Sequence, residues 1–279
     1  MALTPVILMV SRRTRGVGRI FTSLKPQCES VARFYSASVE LPDMFTGKKY
    51  IPRRAVLYVP GSDKNKLQKI TSLDVDCAVM DCEDGVAMNR KEIARSNIRE
   101  MLDVLDFGRT ECVVRVNSAS SGLMGDDLKE ILKADKQPMT IMLPKVQRKE
   151  EIDLFTQRLK DSLEGRQHKQ KFNLITFVES AMGMMNLKEV CNRTFELSLK
   201  HKLYVHDGIV FGSDDFCADI GATRTKDATE LLYARQKVVV CAKAFGLQAI
   251  DLVHIDYKDL EGLEKQSLEG ARMGFTETV

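Results

Sequence analysis

Seven short apolar runs recur along the chain: 55–61, 77–83, 112–117, 140–146, 174–180, 208–216 and 247–253. Their starts lie 22 to 39 residues apart, the length of a strand, a turn and a returning helix. Amphipathic stretches such as 89–105 and 228–245 fill the intervals. The runs are rich in Val, Ile, Leu and Cys and do not alternate with polar residues, as expected of parallel strands covered on both faces. An eighth run starts near Met273. Eight such units predict an α/β chain with a TIM (β/α)8 barrel. No GxGxxG follows the first run, which removes the main signal for an open dinucleotide-binding sheet.

Polar residues collect at the carboxyl ends of these runs. They are Tyr58 on the first; Asp81, Glu83 and Asp84 on the second; Arg115 and Asn117 on the third; Lys145 on the fourth; Glu179 on the fifth; Asp214 and Asp215 on the sixth; Asp251 on the seventh. That is the face on which barrel enzymes build their sites. Glu179 and Asp214/Asp215 end runs that begin 34 residues apart, so neighbouring strands would bring them together. Two or three oxygen ligands, completed by water and substrate, suit Mg²⁺. The alternative is structural: Glu179 would cap the following helix and Asp215 would form an ion pair. Lys64, Lys66 and Lys69 follow the first run, either as a solvated helix face or as phosphate contacts. The Asp81–Gly85 loop has its glycine one position too early for an EF-hand. The four histidines show no ligand spacing and read as surface or loop residues.

Charge is unevenly placed. Residues 1–35 hold six Lys/Arg and one acid, leaving 36 of the 42 basic and 38 of the 39 acidic residues for the remainder. The basic balance is therefore confined to the amino-terminal stretch and does not indicate nucleic acid. This stretch reads as a mitochondrial presequence (1–35) cut after Tyr35 for a matrix address, followed by a linker (36–50) and the barrel domain (51–279). No apolar run approaches membrane-spanning length, so no membrane partner is expected. Seven cysteines stand singly without a CxxC and read as reduced core residues.

Six motifs together resemble the citrate lyase β-subunit/malyl-CoA lyase family. They are LYVPG at 57–61, MDCEDGV at 80–86, VRVN at 114–117, LPKV at 143–146, FVESAMG at 177–183 and FGSDDF at 211–216. The resemblance runs from about Tyr50 to Phe275. It implies a Mg²⁺-dependent barrel enzyme, a homotrimer in the full-length form, that splits a CoA thioester, here (3S)-citramalyl-CoA, to acetyl-CoA and pyruvate. Malate synthase, β-methylmalate synthase and thioesterase side activities follow from the same implied site. By this resemblance Glu179 and Asp215 are the metal ligands, and Asp214 stands at a neighbouring acid that is usually Glu. Arg115 would hold the oxo-acid, and Glu83 and Asp84 would orient metal-bound water. Tyr58 and Lys69 match CoA-side contacts, with Lys66 a plausible third. Gln147 stands where relatives often carry Glu.

Relatives continue beyond Gly-Phe-Thr with further helices that supply an aspartate acid/base to a neighbouring subunit, whereas this sequence ends at Val279. The expectation is a barrel with a shortened eighth strand and lacking those helices, less stable, poorly trimeric and slow. The alternative function is a non-catalytic form that only binds Mg²⁺ and CoA thioesters. A barrel enzyme acting on phosphorylated enolates is a third reading, disfavoured because no glycine-rich phosphate motif lies near strands seven and eight.

Overall fold

The computed structural model describes residues 50–276 apart from 74, 167–169 and 257. The presequence, most of the linker, Cys28 and His168 lie outside the described residues. Seven parallel strands follow one another in chain order: β1 (Val56–Pro60), β2 (Cys77–Asp81), β3 (Glu111–Arg115), β4 (Thr140–Leu143), β5 (Phe172–Val178), β6 (Tyr204–Phe211) and β7 (Gln248–Ile250). Sequential order without reversal is the winding of a barrel, not of a doubly wound sheet. Between the strands lie helices α1 (Lys64–Gln68), α2 (Lys91–Val104), α3 (Met124–Ile131), α4 (Lys149–Leu163), α5 (Ala181–His201), α6 (Ser213–Ile220) and α7 (Leu232–Ala244). Helix α8 (Leu260–Met273) follows β7. No helix among the described residues is long and apolar enough to cross a membrane.

The eighth strand does not begin where expected. Met273 closes helix α8, and Gly274 caps it in the left-handed conformation at φ 101°. Only after this turn does the chain rejoin the sheet: the Thr276 N–H donates to the Ala249 carbonyl at 2.9 Å. Among the described residues the sheet is thus a seven-stranded arc from β1 to β7. The apolar look of 273–275 reflects Phe275, which is buried against the α7 layer.

The sheet separates two kinds of core. Leu57, Val59, Met80, Val114, Ile141 and Leu174 point outward and pack beneath the helices. Val56, Val79, Val113, Met142, Ile175, Phe177, Val210 and Ile250 form an inner layer, with Tyr58 against it. Because side chains alternate along a strand, each inward row continues up and down from this layer. On β3 the row reads Glu111, Val113, Arg115; on β2 it reads Cys77, Val79, Asp81. The interior is therefore polar below, apolar in the middle and charged at the mouth.

Arg53 fills the lower layer and is fully buried. Its guanidinium donates to both Glu111 carboxylate oxygens at 2.5 and 2.8 Å and to Gln248 Oε1 at 2.7 Å. It also meets Asp207 Oδ2 at 2.6 Å. Asp207 reaches inward because β5 and β6 slip register: Leu174 pairs with His206, Ile175 with Gly208, and Asp207 is the extra residue. Gln248 in turn donates to the Ile51 carbonyl at 2.8 Å, tying the entry to β1 against β7. His206 is likewise not a surface residue; it is buried in β6 with Nε2 3.1 Å from Thr176 Oγ1.

Replacing Arg53 with Met should cost about 3–5 kcal/mol, since two carboxylates would be left buried without their cation. Urea denaturation of the variant tests this; a midpoint equal to that of the wild type would contradict the pairing.

Candidate active site

The mouth is built from the residues just beyond the inner apolar layer. Asp81 and Arg115 face each other across the β2–β3 register. Arg115 Nε and Nη2 donate to the two Asp81 oxygens at 2.7 Å each, a two-pronged fit available only to a planar guanidinium. The Arg115 Nη1 group lies 3.0 Å from Glu83 Oε2. Its guanidinium carbon sits 4.9 Å above the Tyr58 ring centroid and 6.0 Å from that of Phe177. Asp81 also accepts the Glu83 and Gly85 N–H groups at 2.8 and 2.9 Å, which folds the loop after β2 back over the mouth. Although burial acts against ionisation, Arg115 and these N–H groups hold the Asp81 carboxyl below its ordinary range.

Glu179 follows β5 and is buried. The helix behind it is capped by Ser180, whose hydroxyl accepts the Gly183 N–H at 3.1 Å. Glu179 is thus released from the capping role. Its Oε2 accepts the Lys145 backbone N–H at 2.5 Å. Lys145 can present that N–H because it adopts a left-handed backbone at φ 55°, a costly conformation for a residue with a side chain. Its ammonium then reaches Glu83 at 2.9 Å, Asp84 at 2.9 Å and Asp215 at 3.2 Å. Gly212 leaves room for the acid: a Cβ there would meet Glu179 Cγ at 2.3 Å and Oε1 at 2.5 Å.

The two adjacent aspartates on α6 part company. Asp214 is bound by Arg224, which also donates to the Val253 carbonyl at 2.5 Å. Asp215 turns instead toward Lys145 and the Glu179 side of the mouth. Burial, the charge of Glu83 and, less strongly, that of Asp215 push Glu179 up to about 8, against the pull of Arg115 and the Lys145 amide. Burial and Asp84 also raise Glu83, despite Arg115 and Lys145.

Tyr58, Arg115, Glu179 and Asp215 therefore converge as expected from their strand ends. Tyr58 lies beneath Arg115, its hydroxyl 3.8 Å from the Met142 sulfur, and burial pushes its phenol up. Lys66 and Lys69 stand apart on and after α1: Lys66 pairs with Asp63 at 3.3 Å, and Lys69 caps the helix end, exposed. Asp251 does not line the mouth. It turns outward and is locked to Arg235 of α7 at 2.5 Å. The bridging role of Lys145 and the claim of Arg224 on Asp214 were not visible in the sequence. Both depend on long-range packing, and neither residue lies in a local pattern that names its partner.

The amino-acid sequence from residue 54 to 279 matches the model of the HpcH/HpaI aldolase/citrate lyase family. The chain belongs to this family. The human protein "Citramalyl-CoA lyase, mitochondrial" is 56% identical over 228 residues, 82% of this chain and 67% of that protein. The citrate lyase beta subunit of M. tuberculosis complexed with oxaloacetate and magnesium superposes with a TM-score of 0.63 at 26% identity, covering 85% of this chain and 92% of that one. A second M. tuberculosis structure, the protein CitE with magnesium, acetoacetate and coenzyme A, gives 0.62 at 28% identity over 80% and 74% of the two chains. The seven-stranded arc is thus the sheet of a citrate lyase-type α/β fold.

The raised Glu179 carboxyl has a consequence for stability. Between its ordinary value of 4.5 and about 8, the folded chain keeps a proton that the unfolded chain has released. Folding stability should therefore fall as pH rises through that window, by about 2–4 kcal/mol from this group. In chelator-containing buffer, urea midpoints at about pH 5 and about pH 8 should differ more for the wild type than for Glu179→Gln. Equal differences in the two proteins would refute the assignment.

Proposed function

We propose that the chain is a Mg²⁺-dependent carbon–carbon lyase that cleaves (3S)-citramalyl-CoA to acetyl-CoA and pyruvate. The observation that carries this reading is the convergence of Glu179 and Asp215 beside an Arg115 already oriented by Asp81 and Glu83. The relatives support it: one is named a citramalyl-CoA lyase, and others hold magnesium with an oxo-acid or coenzyme A.

The donor set fits a hard dication. Among the described residues there is no closed cage of three or more His, Cys, Asp or Glu side chains. Two carboxylates at an open mouth instead leave positions for water and substrate oxygens. The site is also rich in acid: burial first, and then neighbouring carboxylates, push both Glu179 and Glu83 up. Glu179 and Asp215 would hold Mg²⁺, which supplies Lewis-acid stabilisation of charge on the substrate's hydroxyl oxygen.

The protein's own groups do the rest. Arg115 commits two of its five N–H donors to Asp81, lies in ion-pair contact with Glu83, and has donors left for the carboxylate of the departing oxo-acid. Fixed on both sides and stacked on Tyr58, it pays little reorganisation when substrate arrives. Lys145 holds Glu83 and Asp84 beside the metal ligands and fixes one Glu179 oxygen through its backbone. Cleavage breaks the bond between the carbinol carbon and the methylene next to the thioester. The hydroxyl gives up its proton as it becomes the ketone of pyruvate, the electron pair of the broken bond passes into the thioester enolate, and one proton is returned to the enolate carbon to give acetyl-CoA. Tyr58, Lys66 and Lys69 are assigned to the CoA side of the substrate. Homotrimeric assembly and the synthase-like and thioesterase side activities belong to the same reading. So does a mitochondrial matrix address carried by residues 1–35, in keeping with the printed name of the human relative.

Isothermal calorimetry with Mg²⁺ tests the site. Glu179→Ala and Asp215→Ala should abolish measurable binding, while Asp214→Ala, whose carboxylate is committed to Arg224, should weaken it by less. Unchanged affinity in Glu179→Ala would remove the metal assignment.

A further inference from the structure

Cysteines 191 and 241 are 50 residues apart in sequence, yet their sulfurs lie 3.9 Å apart in the helical layer. Cys191 is on α5 and fully buried, whereas Cys241 is on α7 and half-buried, next to the exposed Val240. Both are free thiols. Lys237, one turn before Cys241 on α7, and Lys188 of α5 place positive charge near the Cys241 sulfur. We propose that Cys191 and Cys241 form a thiol pair that a hydroperoxide converts to a disulfide joining α5 to α7.

The two sulfurs are unequal in the way such chemistry requires. A hydrogen bond from Cys191 and the two lysines hold the Cys241 thiol below its ordinary value. The same hydrogen bond and burial push Cys191 well above its own. Cys241 is thus the more accessible and more nucleophilic member, and Cys191 the partner waiting beneath it. The remaining described cysteines differ. Cys77 and Cys82 are buried in or just beyond β2, and burial raises the thiols of Cys82, Cys112 and Cys217.

The chemistry balances in two steps. The Cys241 thiolate attacks the outer oxygen of ROOH; the O–O bond breaks, ROH leaves after taking up a proton, and Cys241 becomes a sulfenic acid. The Cys191 sulfur then attacks the Cys241 sulfur, its proton leaves with the hydroxyl as water, and the disulfide forms. Overall two thiols are oxidised and one peroxide is reduced. The sulfurs must close from 3.9 Å to a disulfide length of about 2 Å. The bridge would span the segment containing β6 and α6, and so would link the helix leading from Glu179 to the one following Asp215. It does not depend on the lyase reading.

The full reduced chain should be treated with hydrogen peroxide, alkylated, digested and mapped by mass spectrometry. The expected result is a Cys191–Cys241 cross-linked peptide lighter by two hydrogens, lost on treatment with dithiothreitol, together with a raised urea midpoint. Cys191→Ala should accumulate a Cys241 sulfenic acid that a 1,3-diketone traps. Cys241→Ala should leave Cys191 alkylatable. The wild-type map decides the matter even if a variant misfolds. Free thiols at 191 and 241 under conditions that oxidise other cysteines would overturn the proposal, as would a disulfide from either residue to a different cysteine.

Discussion

Two buried guanidinium groups hold the interior of this sheet together, one at each end of a single apolar layer. Arg53 below gathers Glu111, Asp207 and Gln248 from β3, β6 and β7. Arg115 above gathers Asp81 and Glu83 from the end of β2. Neither arrangement would survive alone. A buried carboxylate without a cation costs several kcal/mol, and so does a buried guanidinium without acceptors. The apolar layer of Val79, Val113, Met142, Phe177 and Val210 separates the two clusters. The geometry at the mouth thus depends on charge pairing deep within the sheet.

This arrangement explains why the two ends differ in chemistry. At the lower end Glu111 and Asp207 share the single cation Arg53 and are backed by Gln248 and Thr140, all of them buried. At the mouth more acids surround fewer cations, and the cluster is partly exposed. Arg115 and Lys145 face Asp81, Glu83, Asp84, Glu179 and Asp215, and Arg224 has already taken Asp214. Burial first, and the neighbouring acids Glu83 and Asp215 after it, push the Glu179 carboxyl well above its ordinary range. A mouth with surplus acid, an oriented guanidinium and a strained lysine backbone is prepared for a cationic cofactor and an anionic substrate.

Much of this was legible in the sequence. The seven strands appear as apolar runs, and the mouth residues appear at their ends because the parallel winding brings all carboxyl ends to one face. What was hidden was polar and interior. Strands β3, β5 and β6 begin earlier than their apolar runs because Glu111, Asn173, His206 and Asp207 belong to the sheet despite their polarity. The burial of Glu111 and Asp207 is permitted by Arg53, which lies 58 residues from Glu111 and 195 from Gln248, while His206 pairs with Thr176 and Asn173 with Thr140. No local period encodes such distances. The eighth strand was misplaced for a local reason, since Gly274 is a helix cap whose apolar neighbours imitate a strand start. The facing of Cys191 and Cys241 was hidden because each looks like an ordinary core residue in its own helix.

The most direct measurement is turnover. The purified chain should be incubated with (3S)-citramalyl-CoA and Mg²⁺, and pyruvate and acetyl-CoA quantified separately over time. The two products should appear in equal amounts, and a chelator should stop both. Arg115→Ala should slow both by a hundredfold or more, in keeping with the roughly 2.7–4 kcal/mol lost when a preorganised charge-stabilising donor is removed. Release of free CoA without pyruvate, or equal rates with and without chelator, would contradict a metal-dependent lyase at this mouth.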